Sequence, residues 1–163
     1  MTAHDVRPGI DDAVAAVAEA AGDAGITVAV AESLTCGGVV HALGSGPAAS
    51  EWLAGGVVAY RTDVKERVLG LTPGVDPCSA ECAEQLARGA RQRLGADVAV
   101  STTGVGGPDP DGGHVPGTVY VGWDDGDRTG HERHAFDGGP QDVIDRTVEA
   151  ALGRLVALVE HRS

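Results

Sequence analysis

The stretch Ile26-Thr-Val-Ala-Val-Ala31 runs directly into Glu32-Ser-Leu-Thr-Cys-Gly-Gly38, and this junction decides the fold class. The first six residues are mostly apolar or β-branched, with glycine before them and a polar cluster after them, which predicts a short buried strand. The polar cluster then leads into a helical pattern over residues 35–43. A buried strand that enters a helix through a polar turn is typical of an α/β sheet, in which ligands bind beyond the carboxyl ends of the strands.

The rest of the chain repeats this alternation of strands and helices. Further strands are predicted over residues 55–60, 97–103, 117–123 and 128–136, with Asp125-Gly126 as a hairpin turn between the last two. Further helices are predicted over residues 11–24, 62–70, 79–94 and 139–159. We therefore expect a single α/β domain over residues 1–163, with three layers (α/β/α) and a mixed sheet that includes one late β-hairpin.

Composition and charge exclude several classes of function. The 163 residues include 24 acidic and 12 basic side chains, and the formal net charge of −12 argues against binding to nucleic acid or to anionic membranes. No apolar run reaches the roughly 18 to 20 residues of a membrane span, and the polar N-terminus is unlike a signal peptide. Three cysteines, an odd number, do not indicate a disulfide framework. We expect a cytoplasmic protein.

Metal binding is not predicted either. The pair His131 and His134 falls in a predicted strand, where the two side chains would face opposite sides of the sheet. The pair Cys78 and Cys82 lies around a helix start and has no second pair to complete a zinc site. We expect no metal ion and no cofactor.

One lysine among eleven arginines marks a candidate base. The excess of arginine, together with abundant Ala, Gly and Val, is typical of a GC-rich genome, in which arginine replaces lysine wherever only a positive charge is needed. Lys65 is the remaining lysine, five residues after Tyr60. Lysine can lose its proton inside a protein and arginine cannot, so Lys65 is able to act as a base. The alternative is a solvated helix residue that pairs with Asp63 or Glu66.

Ser33 is the candidate nucleophile at the predicted carboxyl end of the first strand. A serine needs a base to become nucleophilic, and a partly buried lysine with a lowered pKa serves this purpose in serine–lysine pairs. Free N–H groups at the start of the following helix can hold a phosphate or a developing oxyanion. The alternative is that Ser33 or Thr35 only caps that helix, and this stretch alone leaves both interpretations open.

A glycine-rich segment, Thr103-Gly-Val-Gly-Gly-Pro108, follows the third predicted strand. Glycine allows the backbone to approach an anion closely. The segment is not a P-loop, because no Gly-Lys-Ser/Thr follows it, and prolines stand where a dinucleotide-binding fingerprint needs a helix. It is either a ligand-binding loop or a long surface loop.

Taken together, these segments resemble the CinA C-terminal domain family over nearly the whole chain. Five motifs carry the resemblance through their order and spacing: Ala31-Glu-Ser-x-Thr-x-Gly37, Gly55-Gly-Val-Val-Ala-Tyr60-x4-Lys65-x3-Leu-Gly70, Ser79-Ala-Glu-x-Ala83, Thr103-Gly-Val-x-Gly-Pro108 and Gly117-Thr-Val-Tyr120.

The resemblance implies a reaction and a set of site residues. The reaction is hydrolysis of the carboxamide of nicotinamide mononucleotide, a small-molecule substrate, to nicotinate mononucleotide and ammonia, without a metal. Ser33 and Lys65 are implied as the hydrolytic pair, with Tyr60 beside them to relay protons or to orient the amide. The family also implies a homodimer and a substrate-binding set made of Thr35, Gly37, Ser50, Thr103, Gly104 and Gly107.

Two segments depart from the family's pattern. The family has a Gly-Asp-Arg triplet and then a Val-Arg pair after the last strand, whereas this chain has Gly138-Gly139-Pro140 and Val143-Ile144. The family's Lys-Pro-Val-Gly is replaced by His114-Val-Pro-Gly117. Because arginines that would hold a phosphate are missing, two alternatives stay open: an amidase for a substrate without a phosphate, and a nucleotide- or protein-binding module without turnover.

Overall fold

The computed structural model describes residues 8–162, which form one five-stranded sheet and six helices. In chain order the elements are α1 (Pro8–Ala24), β1 (Val28–Glu32), α2 (Gly38–Gly44), α3 (Ala49–Trp52), β2 (Leu53–Val58), α4 (Thr62–Leu69), α5 (Ala80–Leu94), β3 (Val98–Gly104), β4 (Thr118–Asp124), β5 (Thr129–Ala135) and α6 (Pro140–Arg162). None of these six helices has the length and apolar character that a bilayer span requires.

The strands lie in the order β2-β1-β3-β4-β5. β1 pairs in parallel with β2 and β3, while β4 pairs antiparallel with β3 and β5. The connection between β4 and β5 is a tight turn closed by a hydrogen bond from the N–H of Asp125 to the carbonyl oxygen of Arg128 at 3.0 Å. The predicted mixed sheet with a late hairpin is confirmed.

Helices cover both faces of the sheet because successive side chains of a strand point to opposite sides. Val28 and Val30 of β1 belong to a core shared with α1, α2 and α6, whereas Ala29 and Ala31 belong to a core shared with α4 and α5. Small residues let α5 pack close to the sheet: a Cβ atom at Gly122 of β4 would lie 2.2 Å from a carbonyl oxygen of α5. The three-layer architecture is confirmed.

Helix α2 begins at Gly38, three residues later than the sequence predicted. The carboxylate of Glu32 accepts its first N–H groups, from Val39 at 2.8 Å and Val40 at 3.0 Å. The residue before the helix, Gly37, has a left-handed backbone with φ of 95°. The interpretation of Ser33 or Thr35 as the cap of this helix is therefore wrong, because a buried carboxylate occupies that position.

Helix α5 begins as predicted. The hydroxyl of Ser79 accepts a hydrogen bond from the N–H of Cys82 at 3.1 Å, which satisfies one of the free donors of the first turn. Gly95 ends the helix in a left-handed conformation with φ of 65°. The first turn of α5 is thereby fixed beside the carboxyl ends of the parallel strands.

The two tryptophans lie in different surroundings. Trp52 of α3, a short helix that the sequence pattern did not predict, is buried in the core under α1 and α2. Its indole N–H donates to the carbonyl oxygen of Pro47 at 2.8 Å. Trp123 of β4 is partly exposed, and the guanidinium groups of Arg128 and Arg154 lie 5.9 and 5.8 Å from its ring centre.

Candidate active site

A cavity of about 450 Å³ opens where the parallel strands end, a size typical of small-molecule sites. Segments that follow β1, β2 and β3 meet there, so residues far apart in the chain share one wall. The wall contains all three catalytic candidates and three of the binding candidates: Ser33, Tyr60, Lys65, Thr103, Gly104 and Gly107.

Lys65 of α4 is 2% exposed. Its Nζ donates a hydrogen bond to the backbone carbonyl oxygen of Tyr60 at 2.6 Å. Burial lowers the pKa of Lys65 from its ordinary value of 10.5, because the charged form loses its hydration; the nearby Cys82 sulfur works in the opposite direction. A buried amine with a lowered pKa is the form of lysine that can accept a proton.

The interpretation of Lys65 as a solvated, paired lysine is wrong. The exposed cations beside it are arginines: Arg61 pairs with Asp63 at 2.9 Å, and Arg67 pairs with the same carboxylate at 3.4 Å. Lys65 therefore lies on the inner face of α4, whereas the charged side chains of Arg61 and Arg67 are exposed to solvent.

Ser33 follows β1 directly and is 7% exposed. Its N–H donates to the carbonyl oxygen of Thr102 at 3.2 Å, which continues the β1–β3 pairing and fixes the serine backbone. Leu34 also lines the cavity, and its N–H has no acceptor among the described residues. A nucleophilic hydroxyl and a free backbone donor thus stand next to each other.

Tyr60 lies at the rim of the cavity, with 66% of its surface exposed. Its contact with Lys65 runs through the backbone carbonyl and not through the phenol. The structure therefore places Tyr60 beside Lys65, as expected, but the atom that touches the lysine is one that any residue would supply.

Three members of the expected binding set lie outside this cavity. The hydroxyl of Thr35 is turned toward Glu32 at 2.6 Å and toward the Thr102 hydroxyl at 2.8 Å. Thr35 and Gly37 line a separate groove between α1, α2 and α6, and Ser50 is exposed on α3 away from both. Thr35 thus supports the turn that carries Ser33 and does not face the cavity.

The glycine-rich segment shapes the far wall. Gly104 ends β3 with φ of 151°, and a Cβ atom there would lie 2.4 Å from the carbonyl oxygen of Thr118. Gly107, with φ of 88°, precedes a cis peptide bond to Pro108. Only glycine combines these backbone angles with such close approach, so the segment brings main chain to the cavity at Gly104 and Gly107.

Sequence reasoning missed a histidine–aspartate hydrogen bond in the cavity wall. Nε2 of His114 lies 2.7 Å from Oδ2 of Asp76 and joins the glycine-rich loop to the segment before α5. Burial raises the pKa of Asp76, but hydrogen bonds from His114 and from the N–H of Cys78 outweigh it and leave that pKa below its ordinary value. These two residues are 38 positions apart, and no sequence pattern indicates their contact.

The segment that departs from the family's pattern also reaches the cavity. Pro140 and Ile144, from the first two turns of α6, line the wall with apolar surface. Arg146, the next basic residue, is exposed and does not line it. The side chain of Asp142 accepts the N–H of Gly139 at 2.9 Å and so caps the helix.

Among residues 8–162, no cluster of three or more His, Cys, Asp or Glu side chains could hold a metal ion. His131 pairs with Glu84 at 2.8 Å, and His134 pairs with Glu132 at 3.1 Å. Each of these two histidines of β5 therefore has a carboxylate partner.

Sequence comparison supports the resemblance. The model of the CinA C-terminal domain family matches residues 10–159. A Pseudomonas putida protein named nicotinamide-nucleotide amidohydrolase PncC is 41% identical over 136 residues, which cover 80% of this chain and 85% of that protein. A Bacillus subtilis relative, whose name refers to competence damage and states no reaction, is 38% identical over 143 residues. The chain spans 34% of that relative's length.

Solved structures show the same fold. The CinA superfamily protein from Enterobacter cloacae superposes with a TM-score of 0.89 at 29% identity, over 98% of this chain and 97% of that one. An Agrobacterium tumefaciens competence/damage inducible protein gives a TM-score of 0.87 at 28% identity, over 92% and 95%. With its family model, sequence relatives and fold in agreement, the chain belongs to the CinA C-terminal domain family.

Proposed function

We propose that this protein is a metal-independent amidohydrolase that converts the carboxamide of a nicotinamide ribosyl compound to the carboxylate and ammonia. Nicotinamide mononucleotide is the first compound to test, since the Pseudomonas putida relative is named for this class of substrate. The observation that carries the proposal is the cavity that Ser33 shares with Lys65, a buried lysine whose pKa is lowered by burial.

The reaction begins with proton transfer. The neutral amine of Lys65 takes the hydroxyl proton of Ser33, and Oγ of Ser33 forms a bond to the carboxamide carbon. The carbonyl oxygen becomes negatively charged, and the free N–H of Leu34 donates a hydrogen bond to it. The backbone carbonyl of Tyr60 orients the amine during this step through its 2.6 Å hydrogen bond.

Three further proton transfers complete the cycle. The Lys65 ammonium gives its proton to the amide nitrogen, the carbon–nitrogen bond breaks, and ammonia leaves. The acyl group remains bound to Ser33 as an ester. Lys65, neutral again, takes a proton from water as the water oxygen attacks the ester carbon. Return of that proton to Ser33 Oγ releases the carboxylate product and restores the serine.

Ammonia release from nicotinamide mononucleotide tests this proposal. Ser33→Ala removes the nucleophile, and Lys65→Arg keeps a positive charge but holds its proton, so each change should lower the rate about a hundredfold or more. Arg67→Lys, on the exposed face of the same helix, is the matched control and should keep the wild-type rate. A Lys65→Arg variant with wild-type activity would contradict the proposed base.

The proposal includes two further expectations: a homodimer, which the family resemblance implies, and a cytoplasmic location, which the three cysteines and the polar N-terminus indicate. Sedimentation equilibrium of the purified chain measures the first directly. A binding module without turnover is the competing function. Calorimetric binding of the nucleotide together with no ammonia release would favour it over the enzyme.

A further inference from the structure

Among residues 8–162, the cavity wall contains no arginine, and each of its two basic side chains already has a hydrogen-bond partner. Within the described part of the chain, its basic side chains are Lys65 and His114. Nζ of Lys65 donates to a backbone carbonyl at 2.6 Å, and His114 is held 2.7 Å from the carboxylate of Asp76. Pro140 and Ile144 complete this side of the wall with apolar surface.

Carboxylates outnumber basic side chains in the lining of this cavity. Asp76, Asp109 and Asp111 line the same cavity, the last two from the exposed glycine-rich loop. Within this lining, three carboxylates therefore face two basic groups, of which one is a lysine with a lowered pKa.

Carboxylates of this chain lie at the N-termini of α2 and α6, two helices near the site. A helix N-terminus binds phosphate through free N–H groups. In α2 the carboxylate of Glu32 accepts the N–H groups of Val39 and Val40. In α6 the carboxylate of Asp142 accepts the N–H of Gly139. Each helix thus carries its own internal anion at the end that would otherwise attract a phosphate.

We propose that this site selects a pyridinium carboxamide without a phosphate, and that nicotinamide riboside is a better substrate than nicotinamide mononucleotide. This inference rests on the proposed amidohydrolase function. The riboside carries a single positive charge on its ring nitrogen, which the carboxylates attract. The mononucleotide adds a phosphate dianion, and one carboxylate about 7 Å from a dianion disfavours binding roughly sevenfold even in a water-like medium.

The central experiment measures kcat/KM for ammonia release from the two compounds at low salt. We expect the riboside to exceed the mononucleotide by about tenfold or more. Because exposed charges are screened, the ratio should shrink when salt rises from about 0.02 M to about 0.5 M. Calorimetric titration of Ser33→Ala with each compound measures the same preference in binding, without turnover.

Two pairs of variants test the origin of the preference. Asp109→Asn combined with Asp111→Asn should lower the riboside-to-mononucleotide ratio about fivefold or more. Asp23→Asn combined with Asp127→Asn makes the same change in net charge at exposed positions outside the cavity and should leave the ratio unchanged. Ile144→Arg should raise activity on the mononucleotide, while Ile144→Gln, of similar length and neutral, should not.

The outcomes separate this inference from the proposed function. Equal or greater kcat/KM for the mononucleotide overturns the charge selection and leaves the amidohydrolase in place. Tighter binding of the riboside by Ser33→Ala with no turnover by the wild type overturns the amidohydrolase and supports the charge selection. Neither binding nor hydrolysis of either compound overturns both.

Discussion

Replacement of Glu32 by glutamine tests how the turn that carries Ser33 is held. The side chain is 1% exposed, and three donors converge on its carboxylate. Oε1 accepts the Thr35 hydroxyl at 2.6 Å and the Val39 N–H at 2.8 Å, while Oε2 accepts the Val40 N–H at 3.0 Å. Glutamine has one acceptor oxygen and one NH₂ group, so it can keep two of these bonds at most.

The magnitude follows from what glutamine loses. A hydrogen bond to a charged group contributes about 1.5 to 3 kcal/mol, and a negative charge at a helix N-terminus adds about 0.3 to 1 kcal/mol. The NH₂ group would also face the N–H of Val40, donor against donor. We expect Glu32→Gln to lower the free energy of unfolding by about 3 kcal/mol.

Urea unfolding followed by circular dichroism measures this change, with the midpoint and slope fitted for wild type and variant. The matched control is Asp142→Asn, which alters the exposed cap of α6 and should cost about 1 kcal/mol. A Glu32→Gln protein within about 0.5 kcal/mol of wild type, or more stable than Asp142→Asn, would refute the view that this carboxylate holds the turn.

Four further substitutions probe the base, the packing and the ion pair of the buried Asp124. Between the lowered pKa of Lys65 and its ordinary 10.5, the unfolded chain binds more protons than the folded one, so stability rises with pH across that window. Lys65→Met should lack this rise in urea unfolding at several pH values. Gly122→Ala would place a methyl group against the backbone of α5 and should lower the thermal midpoint strongly. Gly153→Ala, with open space around it, should raise the free energy of unfolding by about 0.5 to 1 kcal/mol. Asp124→Asn, which weakens the ion pair with Arg91, should cost about 2 kcal/mol in urea unfolding.

Local sequence patterns were enough to predict the fold. The mostly apolar run over residues 26–31 indicates a buried strand because a parallel sheet covered on both faces leaves little room for polar side chains. The Asp125-Gly126 turn predicted the hairpin through backbone preference alone. Ser79 predicted the start of α5 because its hydroxyl accepts an N–H three residues further along. Each of these interactions spans only a few positions.

The cavity could be predicted only in part. Ligands bind beyond the carboxyl ends of parallel strands, and Ser33 and the single lysine, Lys65, both follow predicted strands. The sequence therefore predicted that they share one sheet edge, and the structure brings both to one cavity wall. The contact of Asp76 with His114 depends on two loops whose approach no local pattern records. The carboxylate that binds the first N–H groups of α2 could not be predicted, because Glu32 lies at the end of a strand and reaches the helix only through the fold of the turn between them.

The different surroundings of the two tryptophans give the protein a built-in optical probe. Trp52 is enclosed by apolar side chains, so its fluorescence should be blue-shifted relative to an indole in water, whereas Trp123 is partly exposed with two guanidinium groups near its ring. A Trp123→Phe variant would therefore emit from α3 alone, within the layer that contains α2. Its emission wavelength would show whether the helices around Trp52 unfold before the sheet does. The measurement needs no attached dye.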